Sequence, residues 1–163
     1  MEQTCPIGGE RRLTAGEVAL VRRIFGTAVD PAPVRIRRKR WFPLQPRSTT
    51  MAPCGHLHFH PGSPSYCDDF AEASPQLQGH FIHEMTHVWQ AQKFGRFYLF
   101  FRRHPFCRYS YSLKPGWKLD RYGLEQQAEI VRHAFMLRSG RPVAGVADKR
   151  VYERLVDFPG VEG

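Results

Sequence analysis

His83, Glu84 and His87 stand together in the string HEMTH. On an α-helix, histidines four residues apart are separated by one turn and about 40° of rotation, so both imidazoles project from one face and can bind one metal ion. A glutamate beside the first histidine is placed to take a proton from a water that such a metal polarises, rather than to fill a metal position. Five residues with three fixed positions are a short pattern, and context gives it weight. The stretch ASPQLQGHFIHEMTHVWQAQKFG reads as a helix of about five turns, with Ser74 as N-cap, Pro75 at the first helical position and Gly95 as the stop. No glycine or proline follows Gly79 inside it.

A catalytic zinc takes three protein ligands and keeps a fourth position for water. His104, Asp120, Glu125, Glu129 and His133 are the downstream candidates. Glu125 and Glu129 share a face in EQQAE, so Glu125 can ligate while Glu129 accepts a hydrogen bond from His83 and fixes its tautomer. Their apolar surroundings in AEIV make two unengaged carboxylates costly to bury. His133 shares a face with Glu129 and is the competing ligand. His80, three residues before His83, reads as a residue of the helix's N-terminal turn, because a fourth protein ligand would close the site. Phe81 and Trp89 read as core.

These groups need a scaffold. Thr14 and Glu17 stand at capping-box spacing before Val18, Leu20, Val21, Ile24 and Phe25, with Gly26 as the stop, which predicts a helix over roughly 15 to 25. PVRIRRKRWF alternates as a half-exposed strand, and GHLHFHPGS puts Leu57 and Phe59 on one face and His56, His58 and His60 on the other. Its flanking prolines and glycines suit an edge strand. Phe97 to Tyr122 reads as irregular structure, Leu124 to Leu137 as a third strong helix ending at Gly140, and Val146 to Phe158 as a short fourth. The expectation is one α+β domain over 1–163, with a core of about 13–139 and a tail of 140–163.

Composition agrees: 42% apolar residues suffice for a single core in a chain of 163. A net charge of +9, concentrated in RIRRKR and FFRRHPFCR, suits an acidic partner or nucleic acid, or simply a solvated basic face. Cys5, Cys54, Cys67 and Cys107 form no Cys-x-x-Cys pair, and Cys54 and Cys67 are expected as free thiols. With no apolar run of about 20 residues and no signal-peptide core, a membrane span is not expected and the default location is cytoplasmic, with a leaderless export route left open.

HEMTH followed by Glu125-x-x-x-Glu129 resembles the zincin metallopeptidases of the glutamate-ligand type, in which Glu-x-x-x-Asp commonly supplies the ligand and the acid behind it. Glu129 for Asp is a departure. From about Leu13 to Ser139 the chain also looks like the small peptidase-like core domain of proteins associated with contractile injection systems, and like short bacterial proteins labelled Vgr-related. The resemblance implies a minimal zincin-like fold with one zinc ion on His83, His87 and Glu125. It implies peptide-bond hydrolysis of the endopeptidase kind by a metal-activated water, with Glu84 as general base and a peptide or protein as substrate. The edge strand His56, Leu57, His58, Phe59 and His60 would line the cleft and pair with the substrate. Tyr109, Tyr111 or Tyr122 would help hold the oxyanion, with Tyr122 and Tyr111 preferred. The alternative is a zincin-like binding or assembly module of a secretion or phage-tail-like system with little or no proteolysis.

Overall fold

Thr14 opens the first helix, α1 (Ala15–Phe25): its hydroxyl accepts the Glu17 N–H at 3.0 Å, and Glu17 Oε2 accepts the Thr14 N–H at 2.9 Å. The same buried carboxylate takes both ends of the Arg11 guanidinium at 2.8 Å and the Phe70 N–H at 3.0 Å. A buried charge so fully hydrogen-bonded is tolerated, and it ties three segments into one corner. The structure, a computed structural model, describes residues 4–102, 107–146 and 148–161.

Arg11 lies in β1 (Glu10–Arg12), which pairs antiparallel with β2 (Arg35–Arg37), and β2 pairs in parallel with β3 (Leu57–His58). The order β1-β2-β3 puts β3 at one end of this small sheet. Leu57 and Phe59 face the core as the alternation predicts, and Phe59, Phe70 and Phe81 stack in sequence at 5.6 and 5.0 Å, joining the sheet to the long helix α2 (Pro75–Phe94). Ser74, Pro75 and Gly95 delimit α2 as expected.

After α2 come α3 (Tyr98–Arg102), α4 (Leu124–Arg138) and α5 (Lys149–Leu155), with 3-10 turns at Phe70–Glu72 and Leu119–Arg121. Helix α3 lies in a segment expected to be irregular. Five residues are too few to show a period, and burial of Leu99 gives the turn its anchor. Helices α2 and α4 pack against each other and form the body of the molecule.

The segment expected as a tail contributes to the core. Tyr152, Val156 and Phe158 are buried, and the Phe158 ring packs on Phe25 at 5.2 Å and Trp89 at 5.1 Å. Gly26 permits this approach: at φ +53° its missing Cβ would stand 2.2 Å from the Pro159 carbonyl oxygen. All four cysteines are free, so no bridge joins Cys54 to Cys67. Much of RIRRKR is engaged locally, with Arg37 on Glu10 at 2.9 Å, Arg38 over the Tyr66 ring at 4.7 Å and Arg40 at 2.9 Å from His60.

Candidate metal centre

Two helices build the site. Helix α2 presents His83 and His87 one turn apart, and α4 presents Glu125 in its first turn, where the helix dipole favours a negative charge. Gln126 Oε1 accepts the Gly123 N–H at 3.0 Å and closes that helix end. Glu125 Oε2 lies 3.2 Å from His83 Nε2 and 3.1 Å from His87 Nε2, and all three residues are buried. The two imidazoles meet nearly perpendicular, at 78° with centroids 5.1 Å apart.

Ligand atoms held at about 2.0–2.1 Å by a tetrahedral zinc stand roughly 3.3 Å apart; the two nitrogen-to-oxygen separations match that spacing, and all three ligand atoms lie within 4.8 Å of one another. Among the described residues no fourth His, Cys, Asp or Glu joins the group. Three protein ligands are the number that a catalytic site uses.

Each histidine is oriented from behind. His83 Nδ1 is 2.7 Å from Glu129 Oε1, and His87 Nδ1 is 2.8 Å from Gln90 Oε1. With protons kept on both Nδ1 atoms, both Nε2 atoms, which lie toward Glu125, would be the ones to present lone pairs to a metal. Gln90 then donates to the Leu124 carbonyl at 3.1 Å and to Gln127 Oε1 at 3.0 Å, so one buried amide links His87 to the start of the helix that carries Glu125. Gln90 carries no motif of its own. Its signal in the sequence is an amide at i+3 from His87, on the ligand side of an apolar helix.

Burial works against a charge on His83, but hydrogen bonds from its ring N–H groups to Glu125 and Glu129 outweigh it and raise its pKa to about 9. A metal ion bound there would have to displace a proton. Glu84, beside His83, is buried; its Oε2 has no hydrogen-bond partner, and its Oε1 lies 4.0 Å from His80 Nε2. His80 itself is held by Thr50 Oγ1 at 2.8 Å and is not among the converging ligands.

The remaining sequence candidates are distributed differently. His133 meets Glu129 Oε2 at 3.7 Å from Nε2 and the Tyr111 hydroxyl through Nδ1, one step behind the ligands. Tyr111 is therefore engaged with His133 and, at 2.7 Å, with the Tyr152 hydroxyl. The Tyr122 hydroxyl accepts the Lys114 N–H at 3.0 Å in the core, with its ring on Trp117. Both tyrosine hydroxyls are thus already hydrogen-bonded within the protein. Tyr109 lies closest to parallel with the His83 ring, at 18° with centroids 6.1 Å apart. Asp120 is exposed. His104 lies outside the described residues.

The strand from His56 to His60 is partly covered. His58 donates its N–H to Met51 at 2.7 Å and accepts from Met51 at 3.0 Å, so its outward backbone positions are already paired. His58 is buried beside Trp41, and His56 Nδ1 accepts the Arg35 N–H at 3.2 Å. At this position the segment around Met51, not β3, forms the outer edge. A cleft of about 660 Å³ bordered by Tyr109, Glu129, His133 and Tyr152 touches the back of the site through Glu129. A larger one of about 1270 Å³, lined by Trp89, Trp117 and Phe158, includes none of the three ligands.

No protein-family model matches the chain. The effector domain of Pseudomonas aeruginosa VgrG2b, a solved structure, superposes with a TM-score of 0.73 at 32% identity, over 96% of this chain and 86% of that one. The chain belongs to the VgrG2b effector-domain family. The type VI secretion system spike protein VgrG2b of the same organism is 38% identical over 156 residues, 91% of this chain. The chain spans about 15% of that protein's length. The likeness to the VgrG2b effector domain places the α+β architecture among known folds and the chain in a secretion-system lineage. No helix among the described residues is long and apolar enough to cross a membrane.

Proposed function

We propose that this chain is an effector-type domain of a type VI secretion spike system, exported with or on that assembly, and that it is a zinc-dependent peptide hydrolase. The secretion role rests on the relatives. The chemical role rests on one observation: a buried Glu84 carboxylate with an unpartnered oxygen, next in sequence to His83 on the helix that supplies two of the three converging ligand atoms.

Glu84 Oε2 is suited to take the proton of an attacking water and pass it to the leaving nitrogen. Glu129 and Gln90 keep His83 and His87 from rotating, and Glu125 supplies the negative charge that balances a cation. Bound zinc would supply Lewis acidity, polarising a peptide carbonyl and lowering the pKa of water. Burial excludes bulk solvent and strengthens each of these interactions. Substrate would be peptide or protein.

A second reading keeps the same fold and ion but uses the domain as a binding or assembly module with little proteolysis. Its support is that the similar full-length protein is described as a spike protein. The relatives' names speak for the secretion context that both readings share, and they favour this second reading over hydrolysis. Glu84 favours hydrolysis, because a module has little use for a buried carboxylate with one oxygen unpartnered. The two separate on one experiment, in which wild type and Glu84→Gln are compared for metal content and for cleavage of a mixed peptide library. Equal zinc in both with cleavage by the wild type alone supports the hydrolase. Equal zinc with no cleavage by either supports the module.

A further inference from the structure

Helix α3 carries a surface that the metal centre does not use. Leu99 is buried and anchors the turn, while Phe97, Phe100 and Phe101, at i, i+3 and i+4, face outward at 52%, 60% and 80% exposure. Phe94, just before Gly95, adds a fourth ring at 45%. Clustered exposed phenylalanine of this kind is rare on a surface that meets only water. The rings are interleaved with cations: Lys93 lies over Trp89 at 4.9 Å and Phe94 at 5.2 Å, Arg96 over Phe97 at 5.0 Å and Arg102 over Tyr98 at 5.7 Å. Between Glu84 and Asp120 the chain contains no acidic residue.

We propose that this aromatic and basic face is a docking surface for a bilayer of anionic phospholipid. Apolar tips enter the boundary between headgroups and acyl chains, and the flanking cations meet phosphates at the surface. An acidic protein would match the charge but has no need of four projecting phenylalanines. A single-stranded nucleic acid needs open ring faces for base stacking, whereas Phe100 and Phe101 contact each other edge-on, at 85° and 5.4 Å. None of the three main clefts is lined by these rings, which stand on an outward surface and not in a groove. The inference is independent of the metal and of proteolysis.

The test is co-sedimentation of the whole chain with vesicles of phosphatidylcholine alone or mixed with phosphatidylglycerol. Wild type is expected on the mixed vesicles only, and Phe100→Ser/Phe101→Ser, which leaves charge unchanged, is expected to lower that partition at least about tenfold. Both side chains are exposed, so the thermal melting curve of the variant should match wild type and exclude misfolding. As an independent reading, Phe101→Trp should shift its emission to the blue on mixed vesicles. Three outcomes overturn the proposal: no wild-type binding, binding by the double serine variant equal to wild type, or ring-dependent capture of a single-stranded oligonucleotide with no response to vesicles.

Discussion

The chain places two groups of three histidines close together in sequence, and the fold treats them oppositely. His56, His58 and His60 are dispersed: His56 accepts a backbone N–H, His60 faces Arg40, and His58 is buried with neither ring nitrogen hydrogen-bonded. Of His80, His83 and His87, two converge on a carboxylate from another helix. Burial, with Arg37 nearby, pushes His58 down to about 4, while Glu125 and Glu129 overcome burial and lift His83 to about 9. Histidine density is thus no guide to where ligand atoms converge. Distant carboxylates, delivered by α4, make the difference.

The largest way to test the contrast is to remove that carboxylate. Glu125→Ala should lower zinc affinity by two orders of magnitude or more, on the order of losing one of three ligands, measured by competition with a chelating dye. His58→Ala should leave zinc content unchanged; a loss equal to that of Glu125→Ala would put the metal elsewhere. Next comes chemistry without metal loss. Glu84→Gln should keep full zinc and reduce peptide cleavage by roughly 10²–10⁴-fold in kcat, and residual cleavage near wild type would remove Glu84 from the reaction.

A smaller effect is expected behind the ligands. Gln90→Leu and Glu129→Ala should each weaken zinc by about 10–100-fold, and Gln90→Glu, which retains an acceptor for His87, should recover part of it. A Gln90→Leu protein with wild-type affinity would show that the amide only packs. The smallest concerns the other histidine group. A histidine titrates near 6.5 in the unfolded chain, so between that pH and about 4 the unfolded state takes a proton that folded His58 refuses. Stability is therefore complete above pH 6.5 and falls as pH drops through this window, by about 2–3 kcal/mol. Denaturant melts across that range should show His58→Phe losing less than wild type by about that amount, and parallel losses would exonerate His58.

The legible parts of this molecule were those written in local chemistry. Thr14 with Glu17, Ser74 with Pro75, and the stops at Gly26 and Gly95 bracket α1 and α2, because a cap is satisfied within one turn of where it sits. The spacing of His83 from His87 and of Glu125 from Glu129 was readable for the same reason. What escaped depends on contacts between remote segments. Nothing around His58 announces that Met51 pairs with it, nothing around Tyr122 says that its hydroxyl turns to the Lys114 amide, and Gln90 looks like any helix glutamine until α4 is beside it. The tail is a related case: its helix was visible, but the docking of Phe158 between Phe25 and Trp89 was not.

The amide of Gln90 also sets an order of events. Its bonds to His87, to the Leu124 carbonyl and to Gln127 are all made between protein groups, so the two helices meet in register by their own packing. If the site takes zinc as proposed, folding would come first and loading second, unlike a zinc finger, whose chain has no fold to offer until the ion arrives. On the proposed function, a chelator is then expected to abolish cleavage and leave the melting curve unchanged. A domain built this way would travel as a finished shape and collect its ion on arrival.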